Sequence, residues 1–200
     1  MKIGIVGGTF DPIHIAHMYL VTECKAALGL DHMVIIPNGD PPHKESGVTA
    51  AHFRHAMVTL AAAEYPGVEV SDMEVRGNDP SYTFKTLERL KTDRFKADDL
   101  YFIIGADSLI NFKTWKEPER ILPLCTLVCF DRPGYKPSEV EAAAFWVFEH
   151  GGRLIRIDSL ELEISSTDIR RRFLEGESAQ AFLHPAVYRF INDNQLYMGD

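Results

Sequence analysis

The 200-residue chain has no apolar run approaching the roughly 20 residues that a membrane-spanning helix needs, so no membrane role is expected. Its N-terminus carries no signal-peptide pattern, because glycines and polar groups break the apolar run within ten residues. Cysteine is scarce. Cys24, Cys125 and Cys129 are an odd number without CxxC spacing, which points to buried free thiols and a reducing, cytoplasmic setting. Positive charge is also in short supply, with 21 Lys and Arg against 29 Asp and Glu and a formal charge of −8. That balance opposes broad binding to nucleic acid or to anionic membranes. It does not oppose a small anion held by local backbone dipoles and a few Arg, Lys or His. The G-x-G-x-x-G and G-x-x-x-x-G-K-[ST] patterns are both missing, which excludes the dinucleotide fingerprint and the P-loop. There is no internal repeat.

What is present is ordinary for a globular protein with a proper core: 46% apolar and 25% charged residues. The length suits a single domain over residues 1–200, with a C-terminal helical segment from about 165. Short apolar runs predict strands at Lys2–Val6, His32–Ile36, Val68–Val75, Leu100–Ile104, Thr126–Phe130 and Arg153–Ile157. Amphipathic stretches between and after them predict helices at Ile13–Leu28, Ala50–Glu64, Tyr82–Leu90, Pro118–Leu122, Glu139–Glu149, Thr167–Leu174 and Pro185–Asn194. Such alternation implies an α/β fold with an open, doubly wound parallel sheet rather than an eightfold barrel.

The stretch "GGTFDPIHIAH", residues 7–17, follows the first strand directly. Asp11 before Pro12 fits a helix N-cap with proline at the first helical position. Paired glycines allow a sharp turn off the strand. The product is an exposed helix N-terminus whose N–H groups attract phosphate. His14 and His17, three residues apart, would share one face of the first turns. They lack the spacing of an H-E-x-x-H zinc site and have no evident third ligand. Two plain helix histidines are the blander alternative, weakened by the Gly-Gly turn beside them.

A second stretch, "ISSTDIRRR", residues 164–172, starts another helix, with Ser165 and Asp168 forming an S-x-x-D capping box. Capping alone is a sufficient reason for the Ser/Thr cluster. Successive helical residues differ by about 100°, so Arg170, Arg171 and Arg172 cannot all face one ligand. Gly105 and Asp107 follow an apolar strand at the carboxyl edge, where open α/β sheets bind ligands; a further helix cap is the alternative. Trp115 sits in a polar loop and offers a flat face, although a loop Trp is often core.

Together, "GGTFDPIHIAH" and "ISSTDIRRR" resemble the two motifs of the HxGH nucleotidyltransferases, with Ala16 where that superfamily usually has glycine. "IIPNGDPPHK", "PSYTFKTL", "FIIGADSL", "FKTW", "DRPGY" and "LHPAVYRFI" further resemble the bacterial nicotinate mononucleotide adenylyltransferase family, over essentially the whole chain. The resemblance implies a Rossmann-like nucleotidyltransferase fold acting on ATP and nicotinate mononucleotide. It implies catalytic roles for His14, His17 and Arg170. It implies ATP contacts from Gly8, Thr9, Phe10, His14, His17, Gly105, Asp107, Ser165, Ser166, Thr167 and Arg170. Lys44, Thr83, Trp115 and Arg132 would meet the mononucleotide. Lys116 stands where relatives often carry an aromatic; it either favours a carboxylate of the substrate or is simply solvated. Mg²⁺ would arrive with ATP, without a dedicated protein metal site or a tightly bound organic cofactor. Homo-oligomerisation is left open. So are a sister enzyme acting on nicotinamide mononucleotide or phosphopantetheine, a cytidylyltransferase, and a nucleotide sensor without turnover.

Overall fold

The computed structural model describes residues 1–39, 47–77, 80–131, 135–158, 160 and 162–199. The apolar runs become strands β1 (Lys2–Gly8), β2 (His32–Pro37), β3 (Val68–Val70), β4 (Asp99–Gly105), β5 (Thr126–Asp131) and β6 (Arg153–Asp158). They form one six-stranded sheet in the order β3-β2-β1-β4-β5-β6. β1, β4, β5 and β6 pair in parallel, with Ile5 opposite Phe102, Phe102 opposite Leu127 and Leu127 opposite Leu154. Ile3, Ile5, Leu127, Val128 and Phe130 are fully buried, the pattern of a parallel sheet covered on both faces. Strand order reverses between β1 and β4, the feature of a doubly wound sheet beyond whose carboxyl ends ligands bind.

The helices are α1 (Ile15–Leu28), α2 (Ala51–Ala62), α3 (Thr83–Asp93), α4 (Ala106–Ile110), α5 (Pro118–Ile121), α6 (Pro137–Glu149), α7 (Ser166–Leu174) and α8 (Pro185–Asp193). The open α/β fold expected from the alternation is therefore the one observed. None of the described helices is long and apolar enough to cross a membrane. Two details differ from expectation. β3 ends at Val70 rather than Val75, because Ser71 N–H makes the last bond to Ile35 O and the chain then turns, with Arg76 N–H bonded to Asp72 O. The short α4 is not among the expected helices, although a helix cap is the alternative reading of Gly105 and Asp107.

The chain gathers into two compact units, Met1–Val6 with Glu23–Met33 and Ser81–Glu161, and Gly7–Thr22 with Val34–Pro80 and Leu162–Asp200. In the first, Arg120 of α5 grips Glu88 of α3 through Nη2 at 2.7 and 2.8 Å and lies 4.3 Å from the Phe84 ring centroid. In the second, α8 lies on α2, with Phe190 edge-on to Phe53 at 6.1 Å and Val187 and Ile191 fully buried.

All three cysteines are buried free thiols, and burial pushes Cys24 and Cys125 from the ordinary 9.0 up to about 12. The folded state thus keeps protons that the unfolded chain would release. Their contribution to stability is complete below 9.0 and is lost as pH climbs towards 12. A thiol reagent at neutral pH is expected to leave both unmodified in the folded protein and to label them in urea. The urea midpoint should fall as pH is raised past 9.0; fast labelling of the native thiols would contradict this.

Candidate active site

Beyond β1 the chain makes a tight turn in which Phe10 takes φ 51 and is only 5% exposed. A side chain in this left-handed region costs on the order of 1–3 kcal/mol and persists only where surroundings fix it. Here the ring packs edge-on to His17, with centroids 5.1 Å apart, and lies across Gly8. A Cβ on Gly8 would stand 2.9 Å from Phe10 Cζ, so only glycine lets the ring close over the strand end. Gly8 O is held by Asn38 N–H at 2.9 Å.

Asp11 is not the cap of α1. The Asp11–Pro12 bond is cis, and the helix begins at Ile15, two residues later than expected. The buried Asp11 carboxylate is engaged by distant groups instead: Oδ2 accepts from Thr49 N–H at 3.1 Å and Oδ1 from the Tyr197 hydroxyl at 2.6 Å. His14 starts the helix, its carbonyl accepting from His17 N–H and Met18 N–H at 3.0 and 3.3 Å. The His14 N–H in turn donates to His17 Nδ1 at 3.3 Å. His17 thereby plays the part that Glu or Gln plays in a capping box. With Nδ1 accepting, the proton of the neutral ring sits on Nε2. The imidazoles stack, centroids 3.7 Å apart and planes 24° from parallel. His14 is 5% exposed while His17 is half-buried. Ala16 is buried, at 1% exposed.

The second motif meets the first. Ser165 caps α7 by accepting from Asp168 N–H at 3.1 Å, the N-cap half of the expected capping box, while the Asp168 carboxylate accepts from Arg171 and Arg172. Ser166 Oγ donates to Pro12 O at 2.9 Å. Arg170 Nη1 donates to Asp11 O at 2.7 Å, and its Nη2 to Thr167 Oγ1 at 3.3 Å. Arg171 and Arg172 leave on the other side, paired with Asp168, and Arg171 also with Glu175. Those arginines hold the Asp168 carboxyl below its usual range. The exposed Thr9 and Thr167, half-buried Gly8, Ser166 and Arg170, and the two imidazoles thus gather around one turn and two helix starts. Such a place suits a polyphosphate: helix N-termini, a guanidinium and a ring donor converge within one unit of the chain.

Other expected residues lie in the unit that carries β4. Gly105 ends β4 and precedes α4; Asp107 Oδ1 folds over it, 2.8 Å from where a Cβ would stand. Asp107 itself is exposed. Thr83 is the half-buried first residue of α3. Trp115 closes a single 3-10 turn at Phe112–Thr114. It is wedged against Phe112 and Phe102, centroids 5.2 and 6.1 Å away, and remains half-buried. Lys116 is exposed. Lys44 and Arg132 lie outside the described residues.

The cytidylyltransferase-like family profile matches residues 5–172. A Clostridium botulinum (strain Eklund 17B / Type B) protein named "Probable nicotinate-nucleotide adenylyltransferase" is 38% identical over 198 residues, 98% of each chain. Its namesake in Clostridium beijerinckii (strain ATCC 51743 / NCIMB 8052) is 40% identical over 201 residues, again 98% of each. The chain belongs to the nicotinate-nucleotide adenylyltransferase family. Members of that family are nucleotidyltransferases, enzymes rather than passive nucleotide binders. The Plasmodium falciparum nicotinic acid mononucleotide adenylyltransferase complexed with NaAD gives a TM-score of 0.80 at 19% identity, covering 98% of this chain and 97% of that one. The same enzyme complexed with APC gives 0.78, covering 98% and 96%. At that identity the likeness establishes the shared fold.

In this adenylyltransferase-family chain one buried residue escapes a reading of the sequence. Arg54 of α2 is fully buried. Its guanidinium donates to Thr49 O and Thr9 O at 2.7 Å each and to Gly39 O at 3.2 Å. The signal was its position, three residues after buried Ala51 and four before buried Val58, on the apolar face of the helix.

Proposed function

We propose that this chain transfers the adenylyl group of ATP to nicotinate mononucleotide, giving nicotinate adenine dinucleotide and pyrophosphate. The observation that carries the proposal is the joining of the two motifs, with Ser166 and Arg170 bonded to the carbonyls of Pro12 and Asp11 beside the stacked His14 and His17. The names of the relatives favour the nicotinate nucleotide as acceptor, as does the solved enzyme complexed with NaAD.

A phosphate oxygen of the mononucleotide attacks the α-phosphorus, and the bond to the bridging oxygen of the leaving pyrophosphate breaks. With a second pKa near 6 that phosphate is largely dianionic at neutral pH, so no general base is required. The reaction needs in-line placement and neutralisation of growing charge. His14, His17 and the Gly8–Phe10 amides would serve the α-phosphate, and Arg170 with Ser165, Ser166 and Thr167 the departing phosphates. Gly105 and Asp107 would meet the rest of the ATP. Mg²⁺ bound to ATP would offset the charge of the pyrophosphate. ATP phosphates and water would supply its ligands.

Thr83 and Trp115 would receive the pyridine ring, with Lys44, Lys116 and Arg132 serving the acceptor's charged groups. Trp115→Ala is expected to raise KM for the mononucleotide roughly tenfold or more, the scale of removing one well-packed aromatic anchor. ATP affinity should stay nearly constant; an equal loss of ATP binding would place that ring elsewhere. The reading as a whole is tested by supplying Mg-ATP with nicotinate mononucleotide, nicotinamide mononucleotide or phosphopantetheine in parallel. Adduct is followed by chromatography and pyrophosphate by a coupled assay. Strong preference for the nicotinate substrate is expected, and preference for another acceptor would overturn the ring assignment.

A further inference from the structure

The Thr9–Asp11 turn is braced by side chains outside the two motifs. Arg54 holds Thr9 O and, through its other nitrogens, Thr49 O and Gly39 O. Thr49 is thus fixed at both ends, its carbonyl by Arg54 and its N–H by Asp11 Oδ2. Tyr197 closes the circuit from the far end of the chain. Its hydroxyl donates to Asp11 Oδ1 at 2.6 Å, and its ring lies 6.1 Å from that of Phe173 on α7. Burial, and then the bond to Asp11, push the Tyr197 hydroxyl pKa upwards, so it stays a donor at every pH of interest. The same Asp11 offers its main-chain carbonyl to Arg170.

We infer that Arg54 and Tyr197 are positioning residues for adenylyl transfer, acting on the nucleotide only through Thr9, Asp11 and Arg170. This rests on the adenylyl-transfer reading. A fully buried guanidinium cannot touch ATP, yet it carries a desolvation cost that an apolar residue of similar size would avoid. What the fork supplies in return is a simultaneous hold on three carbonyls, fixing a turn whose φ at Phe10 is itself strained. A lysine presents a point charge and cannot hold all three. Tyr197→Phe keeps the ring and removes only the hydroxyl, leaving the Asp11 carboxylate one donor short.

The test compares wild type with Tyr197→Phe and Arg54→Lys in steady-state kinetics, each assayed well below its own melting temperature. Expected is a fall in kcat/KM for ATP of about tenfold for Tyr197→Phe and up to about 10²-fold for Arg54→Lys, the scale of a misplaced binding group. KM for the mononucleotide should stay within about twofold, since the disturbed turn serves the ATP phosphates. Lower melting temperatures with unchanged ATP kinetics would reduce both residues to structural braces and overturn the inference, as would an equal rise in KM for both substrates. Should Arg54→Lys lose its cooperative melt, Tyr197→Phe decides alone. Wild type failing to turn over nicotinate mononucleotide would instead sink the adenylyl-transfer reading. The positioning role is then read from the affinity for a non-hydrolysable ATP analogue, weakened in both variants if it holds and unchanged if it does not.

Discussion

Replacing His17 by alanine is expected to lower kcat by roughly 10²-fold or more, the effect of removing one preorganised donor from a developing charge. The structure gives that donor a defined tautomer. Because the His14 N–H donates to Nδ1, the ring proton of His17 is fixed on Nε2. The ring also cannot swing freely, being stacked on His14 on one side and meeting the edge of Phe10 on another. A donor already held in place loses little entropy at the moment of reaction, the condition under which such groups contribute most. The substitution also strips the helix start of one acceptor, which costs about 0.5–1.5 kcal/mol of stability. The decisive measurement is kcat at saturating substrates alongside a melting curve. A folded His17→Ala protein with wild-type kcat would remove the residue from the reaction.

Replacing Arg170 by alanine is expected to lower kcat/KM for ATP by about 10²-fold, on the scale of a charge-assisted hydrogen bond worth some 1.5–3 kcal/mol. Its guanidinium is oriented before any nucleotide arrives, with one nitrogen on Asp11 O and another on Thr167 Oγ1. Arg170→Lys should keep the charge, lose the two-point orientation and fall between wild type and alanine. The adjacent Arg171 is the control. It is half-exposed and paired with Asp168 and Glu175, so Arg171→Ala should change ATP kinetics by less than about twofold. Equal effects at 170 and 171 would mean that net charge, not placement, supports the nucleotide.

Much of this was legible in the residues because it is local. An N-cap reads from a few consecutive positions, and Ser165 bonds Asp168 N–H as its spacing predicts. The divergence of Arg170 from Arg171 follows from helical pitch alone. The misreadings came where partners are remote. Asp-Pro before a helix is a sound N-cap signal, but the Asp11 carboxylate is claimed by Thr49 and Tyr197, 38 and 186 residues away. Val75 belongs to an apolar run, yet the ladder ends at Ser71 and the following residues bond among themselves. Arg54 shares a helix face with buried Ala51 and Val58, but its acceptors, the carbonyls of Thr9, Gly39 and Thr49, come together only in the folded chain. The resemblance to a known family named residues at the site, whereas the bonds that hold them in place are visible only once the chain is folded.

The hydrogen bonds from Ser166 and Arg170 to Pro12 and Asp11 span 154 and 159 residues. At the pace of ribosomal synthesis, about 5–20 residues per second, the first motif therefore waits on the order of ten seconds or more before its counterpart exists. During that interval the carbonyls of Asp11 and Pro12 lack their α7 partners and the guanidinium that would face a polyphosphate has not been made. On the proposed reading, a nascent chain carrying only the first motif would be no ATP trap, and the capacity to act on nucleotide would come late, as a property of closure rather than of either motif.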